Sequence, residues 1–426
     1  MTASIKITFF AVLIFLSSSI FSSAQSDISH GPMLGEVSPN SAAIWLRTEK
    51  SMEVTLQVSP LEKPEEITTQ KFKTDEKSDF TIIARSQNLA PDKHYRYLIT
   101  AGETKAEGFF TTTGPARKNK SLRMVYGYGY NTKENKMDPT TSIFVEMAKR
   151  KADAVFFLGD FPYTTRGARK EIHAGTKELR EVIGFKELTR STPTYGIYDD
   201  HDFGPNDCDG THEFADEALL AFKEYWPNPS YGLPNDKGNY CSQVIGDVEF
   251  FLLDGRYPAR MKEKTALGKT QFAWLCKGLK KSKSRYKVLV SGTQFGRAKR
   301  DGWAGENYVA ERDRIFSFIN DNGISGVIGI SGDVHRNDIY KLPIGKNRFF
   351  YDFTPGALSR ESRTPPNPLP TAMIYSYGKK DDVNLFGEIE FYPATKKDVA
   401  IVFRSFSGKN GLIHEHTLSP ADLNLE

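Results

Sequence analysis

The sequence predicts an α/β protein that follows a small all-β module. From about Gly31 to Thr113, short apolar stretches alternate with turn signals, and no helical period of useful length interrupts them. Beyond Lys120, continuous apolar runs such as AVFFLGD, VEFFLLD, YKVLVSG and GVIGISGD are separated by helical stretches. The chain has 426 residues, enough for two or three domains with cores of their own.

Taken in order, the chain opens with a leader. MTASIKITFFAVLIFLSSSIFSSAQ carries Lys6, an apolar run from Phe9 to Leu16, and Ser22 and Ala24 at cleavage-site spacing. The run falls well short of the roughly 20 residues that span a bilayer. Residues 1–24 are therefore read as a signal peptide cut after Ala24, which leaves no transmembrane segment and a periplasmic or secreted product. Residues 25–115 follow, with the strands SAAIWLRT, VTLQVS, FTIIARS, HYRYLIT and GFFTTT. Leu89-Ala90-Pro91-Asp92 sets a Pro turn before a Tyr-bearing strand, as in fibronectin type III-like sandwiches, so this module is read as structural or positional. Thr113 to Lys120 is polar and turn-rich, a linker. Residues 116–426 form the α/β domain, with helices at SIFVEMAKRKA, TQFAWLCKGLKK and ERDRIFSFINDNG, and NLFGEIEFY and DVAIVFRSF finish a second sheet.

Composition narrows the function. Net charge is +4 from 57 basic and 53 acidic residues with no long block of one sign, so there is no footprint for duplex nucleic acid. Three cysteines allow at most one internal bridge; Cys208 and Cys241, in loop-like sequence, are the expected pair, and Cys276 is expected as a buried, inert helix residue.

Chemistry concentrates at strand ends. Leu158-Gly159-Asp160-Phe161-Pro162-Tyr163, Tyr198-Asp199-Asp200-His201-Asp202 and Ile330-Ser331-Gly332-Asp333-Val334-His335 each place oxygen or imidazole donors just past the last apolar residue. Covered α/β sheets gather polar groups at these ends. Gly159 and Gly332 permit the tight backbone that lets side chains converge. Carboxylate, phenolate and imidazole together favour hard or borderline cations: iron, calcium, zinc or manganese. His30, His94, His173, His212, His414 and His416 lack such a setting and are read as surface or packing residues.

The order GDFPY, YDDHDFGPND, FFLLDGRY, LGKTQFAWL, ERDRIFSFI and SGDVH, behind GPMLGEVSPNSAAIWLRT, resembles the PhoD-like alkaline phosphatase/phosphodiesterase family over nearly the whole mature chain. The resemblance implies a four-layer α/β/β/α metallophosphoesterase sandwich related to purple acid phosphatases. It implies Asp160 as a metal-bridging carboxylate, Tyr163 as a phenolate ligand of ferric iron, and Asp200, Asp333 and His335 as further ligands, with Gln294 where distant relatives have a His. His201 falls on the His that faces the leaving group, and Asn206 on a substrate contact or a turn. Arg256 and Arg260, close behind VEFFLLD, offer guanidinium forks to a phosphoryl group or form surface ion pairs. The family's first strand normally ends in Gly-Ser-Cys with the Cys on iron, whereas here Gly129 holds that place in Tyr126-Gly127-Tyr128-Gly129-Tyr130. Tyr128, Tyr130, Cys208 or a water then fills the position, or one metal position is weak or empty.

These roles imply a metal-dependent phosphomonoesterase or phosphodiesterase: a metal-activated hydroxide attacks phosphorus and His201 protonates the departing alkoxide. The substrate is a small-molecule or saccharide-linked phosphate ester. The alternatives are a hydrolase of a polysaccharide sulfate ester and a catalytically silent ligand-binding protein on the same scaffold.

Overall fold

A computed structural model of the chain describes residues 26–117, 119–134, 142–380 and 382–425. The expected signal peptide lies outside the described residues. Among those that are described, no helix is long and apolar enough to cross a membrane.

The N-terminal unit consists of β1 (Ile28–Val37), β2 (Ser41–Thr48), β3 (Glu53–Pro60), β4 (Thr68–Lys73), β5 (Thr81–Gln87), β6 (His94–Ala101) and β7 (Thr104–Thr111). They form a three-stranded sheet, β1-β2-β5, and a four-stranded sheet, β4-β3-β6-β7. The alternation that predicted strands is a burial pattern: Val54, Leu56 and Val58 on β3 face Ile44 and Leu46 on β2 within one apolar core. β4, TTQKFK, escaped the sequence reading because it is a polar edge strand with no buried residue.

The main unit is built from β8 (Leu122–Gly127), α1 (Ile143–Lys149), β9 (Ala154–Phe157), α2 (Arg169–Arg180), α3 (Phe185–Arg190), β10 (Thr194–Gly196), α4 (Ala215–Tyr225), β11 (Cys241–Ile245), β12 (Val248–Leu252), α5 (Gly268–Lys281), β13 (Tyr286–Val290), α6 (Val309–Asp321), β14 (Val327–Ile330), β15 (Asn337–Gly345), β16 (Arg348–Pro355), β17 (Met373–Tyr377), β18 (Leu385–Phe391), β19 (Ile401–Ser407) and β20 (Gly411–Leu418). A six-stranded sheet, β10-β9-β8-β18-β19-β20, faces a seven-stranded sheet, β11-β12-β13-β14-β16-β15-β17. Met124, Phe156 and Phe403 of the first sheet share a core with Phe250, Val288 and Phe353 of the second. Outside the first sheet, Val125 and Phe157 pack with residues of α1 to α4. Outside the second, Phe251 and Leu289 pack with residues of α5 and α6. This is the expected α/β/β/α sandwich, with sheets covered on both faces. β18 and β19 do not finish a second sheet as expected. β18 pairs antiparallel with β8 and β19 with β18, so both extend the first one.

The two units are clamped together. Trp45 donates its indole N–H to Glu224 O at 2.8 Å, and the Arg180 guanidinium lies 3.7 Å from the Trp45 ring centroid. Gln243 donates to Val37 O at 3.1 Å, and Tyr97 donates its hydroxyl to Arg190 O at 2.6 Å. The expected Cys208–Cys241 bridge is corrected: all three cysteines are free. Cys241 opens β11 and faces the core between the sheets, while Cys208 packs against the helix-side core of the first sheet. Cys276 is half-buried on α5 rather than buried.

Candidate metal centre and active site

Parallel pairing is what gathers the site. β8, β9 and β10 run parallel in register, as do β12, β13 and β14, so each set ends at one edge of its sheet. Just past those ends lie Asp160, Asp200, Arg256, Gln294 and Asp333. The turns are tight. Gly159 has φ +105°, and a Cβ there would stand 2.5 Å from the Asp199 backbone nitrogen. Gly332 is needed for close approach rather than for its φ, since a Cβ there would meet the Tyr128 ring at 2.0 Å. Asp160 (φ +52°), Asp333 (φ +71°) and His335 (φ +51°) all hold left-handed backbone, the kind of strain that packed functional sites sustain.

Donor atoms of Asp160, Asp200 and His201 lie within 4.8 Å of one another, and so do those of Asp200, Asp207 and Asp301. Asp200 thus belongs to both groups, whereas the resemblance gave the shared place to Asp160. Asp202 ties the loops together by accepting from the backbone N–H of Asp199 (2.6 Å), Asp160 (3.2 Å) and Phe161 (3.3 Å). Burial, then Asp200, Asp199 and Asp202, push the Asp160 carboxyl well above the usual range. For Asp200, burial acts in the opposite direction to Arg256, His201 and the Asp207 N–H, which together hold its carboxyl below the usual range. The buried Asp301 Oδ1 has no hydrogen-bond partner. Crowded carboxylates, one of them with an orphaned oxygen, fit a hard cation, which would relieve both the repulsion and the missing bond.

Tyr163 and His335 meet beside this cluster, with Oη 3.0 Å from Nε2. Burial, then Arg363 and Arg360, lower the His335 imidazole to about 3, so it is neutral and a competent ligand. Gly129 faces the same place: its φ is +66°, and a Cβ built on it lies 3.0 Å from Tyr163 Oη. Of the substitutes open for the missing thiolate, Tyr130 packs its ring on Phe144 and Phe161 in the core and also lines a cleft with Tyr163. Tyr128 is buried and donates to Asp199 Oδ2 at 3.2 Å. Cys208 is half-buried beside Gly204, and burial raises its thiol to about 12.

Several expected site residues are engaged elsewhere. Asp333 is ion-paired with Arg297 and stands outside both donor groups. Gln294 is buried and donates to Asp338 (3.1 Å) and Thr354 (2.7 Å), leaving only its unpartnered Oε1. Arg256 is corrected from a substrate fork to a buried clamp: it binds Asp199 (2.7 Å), Asp301 (3.1 Å), Thr293 (3.2 Å) and Cys208 O (3.1 Å). Arg260 donates through Nη1 to the carbonyls of Tyr257 and Ala259 at 2.9 and 2.7 Å. Asn206 is an exposed turn residue. Sequence reasoning missed Asp207, Asp301, Arg297 and Arg360. Asp207 was within reach of it, as the last residue of the GPND stretch that follows the DDHD motif. Asp301 and Arg297 sit in the basic loop RAKRD, where nothing local marks a site.

Comparison with known proteins agrees with this architecture. Residues 183–376 match the model of the PhoD-like phosphatase family, and residues 25–108 match a domain of unknown function. Alkaline phosphatase D of Bacillus subtilis (strain 168) is 24% identical over 323 residues, which are 60% of this chain; the chain spans 53% of that relative's length. A solved structure of PhoD superimposes with a TM-score of 0.73 at 18% identity, covering 92% of each chain. The purple acid phosphatase PPD1 from yellow lupin (Lupinus luteus) seeds gives 0.63 at 13% identity, covering 92% of this chain and 74% of that one.

Proposed function

We propose that this chain, whose residues 183–376 match the model of the PhoD-like phosphatase family, is a metal-dependent hydrolase of phosphate mono- or diesters, exported under the leader of residues 1–24. The division into residues 25–115 and 116–426 belongs to the same proposal. The observation that carries it is the crowding of Asp160 and Asp200 beside His201 and the Tyr163–His335 pair. Asp160, Asp200, Tyr163 and His335 would hold one cation, and Asp207 and Asp301 a second beside Asp200. Iron or calcium, zinc or manganese, suits this donor set. A bound cation supplies Lewis-acid stabilisation of phosphoryl charge and water of lowered pKa.

The chain's own residues do the rest. His201, left off the cation in this reading, would pass a proton to the departing alkoxide; its carbonyl is pinned by Thr164, whose N–H and hydroxyl donate to it at 2.8 and 2.6 Å. Arg256 keeps Asp199 and Asp301 in place, and Asp202 holds the two aspartate loops at a fixed separation. The test is elemental analysis of the purified protein, followed by a panel of phosphate monoesters, diesters and sulfate esters with each of the four metals. Hydrolysis of phosphate esters that chelation removes and metal restores is expected. No phosphate ester hydrolysis with any of the four would overturn the reading.

A further inference from the structure

Arg256 and Arg260, the arginines expected to face a phosphoryl group, are both bound to protein atoms. The loop between β13 and α6 brings another cation to the site. Its backbone is fixed: Arg297 N–H donates to Gln294 O at 3.4 Å, and Arg297 O accepts from Ala304 N–H at 3.0 Å. A Cβ on Gly302 would stand 2.3 Å from Arg297 O, so the loop closes this tightly only with glycine there. Trp303 anchors it, stacked on Phe295 with 5.2 Å between centroids and donating Nε1–H to Ser291 Oγ at 3.0 Å.

From this loop the Arg297 guanidinium meets Asp333, two residues before His335. Nη1 and Asp333 Oδ2 are sealed from solvent against each other. Nε and Nη2 are not among the sealed atoms, and among the described residues they bond to no protein acceptor. The side chain is 11% exposed, buried but reachable. A guanidinium held at one nitrogen keeps its opposite edge, with parallel N–H groups, for an oxyanion. Arg297 also stands beside the acidic centre: burial, then Asp301 and Asp200, raise the Asp207 carboxyl, and Arg256 and Arg297 oppose them. Asp333 lies outside both donor groups, and a cation bound to it would crowd Arg297 with a second positive charge.

We propose that Arg297 is the guanidinium that binds the phosphoryl oxygens of the substrate, and that Asp333 is the positioning residue that aims it rather than a ligand of the metal. The inference rests on the phosphate ester reading above and assigns that site its anion contact.

Calorimetric titration of the protein as purified with inorganic phosphate, alongside elemental analysis, tests both parts without turnover. Arg297→Met should weaken phosphate binding about tenfold, the worth of a charge-assisted hydrogen bond, with metal content unchanged. Arg297→Lys, which keeps the charge without the fork, should recover part of that loss. Asp333→Asn should keep its metal and weaken phosphate. Because Asp333 acts through Arg297, the double variant should bind phosphate no more weakly than Arg297→Met alone. An unchanged phosphate Kd in Arg297→Met would overturn the role of Arg297. Loss of metal from Asp333→Asn, or additive losses in the double variant, would overturn the role of Asp333. If Arg297→Met fails to fold, Arg297→Lys decides the arginine, an unchanged Kd overturning it, and the metal content of Asp333→Asn decides the aspartate. Phosphate binding that depends on Arg297 in a protein that hydrolyses no phosphate ester would refute the hydrolase reading and leave this inference standing. Hydrolysis with phosphate binding indifferent to Arg297 would do the reverse.

Discussion

Gly129→Cys restores the side chain that the family resemblance expects at the end of β8, and its cost can be worked from the structure. Gly129 sits at φ +66°, where a residue bearing a Cβ costs about 1–2 kcal/mol. That Cβ would stand 3.0 Å from Tyr163 Oη, so the phenol must give way slightly. The backbone has little freedom to relieve the strain, because Gly129 N–H donates to Gly159 O at 3.0 Å and Gly129 O accepts from Ser359 N–H at 3.3 Å. In chelator, Gly129→Ala and Gly129→Cys should therefore both lose about 1–2 kcal/mol of unfolding free energy, read from urea melts. Iron then separates them. If the thiolate tightens iron tenfold, iron excess should return about 1.4 kcal/mol more to the Cys variant than to the Ala variant. The thiol must be kept reduced and counted, since a sulfenate or disulfide would abolish the difference. An equal iron response in the two variants would refute the placing of a cation beside this strand end. A loss below about 0.5 kcal/mol in Gly129→Ala would refute the strain argument.

Asp160→Asn and His335→Ala should each abolish ester hydrolysis and lower metal content while far-ultraviolet dichroism stays native; normal turnover in either variant rules out the assigned site. His201→Ala should slow alkyl phosphates far more than activated aryl phosphates, because protonation matters most for a basic leaving oxygen. Arg256→Met should cost about 3–5 kcal/mol in urea melts, since it leaves Asp199 and Asp301 buried without their cation. Adding Asp301→Asn should recover part of that loss. His30 is lowered to about 4 by burial, then by Arg47, Arg180 and Lys177. Its contribution to stability is complete above its unfolded value of 6.5 and is lost as pH falls through about 4. Wild-type urea midpoints should accordingly fall more steeply between pH 6.5 and 4 than those of His30→Gln, and parallel curves would contradict this.

Much of the candidate site could be named from the sequence because its signals are local. AVFF and VIGI are buried strands, and the donors follow them by a fixed few residues, so Asp160, Asp200 and His201 could be named before their neighbours were known. The two-unit plan was equally legible, since strand alternation gives way near Lys120 to strand-helix alternation. Arg256 illustrates the limit. A guanidinium just past a strand end reads the same whether it faces solvent, substrate or a buried aspartate, and only the position of Asp301, in a loop 45 residues away, decides which.

What the sequence determined by itself is therefore the class of elements, their order, and the residue types delivered to the strand ends, because periodicity and turn chemistry act within a few residues. Tertiary structure alone decided which donors share a point, that β18 and β19 join the first sheet, that Cys208 and Cys241 stay apart, and that Arg256 binds Asp199 and Asp301. Those outcomes depend on contacts between residues far apart in the chain. Such contacts form only when whole sheets and helices pack, and no local pattern encodes which distant partner a side chain will meet.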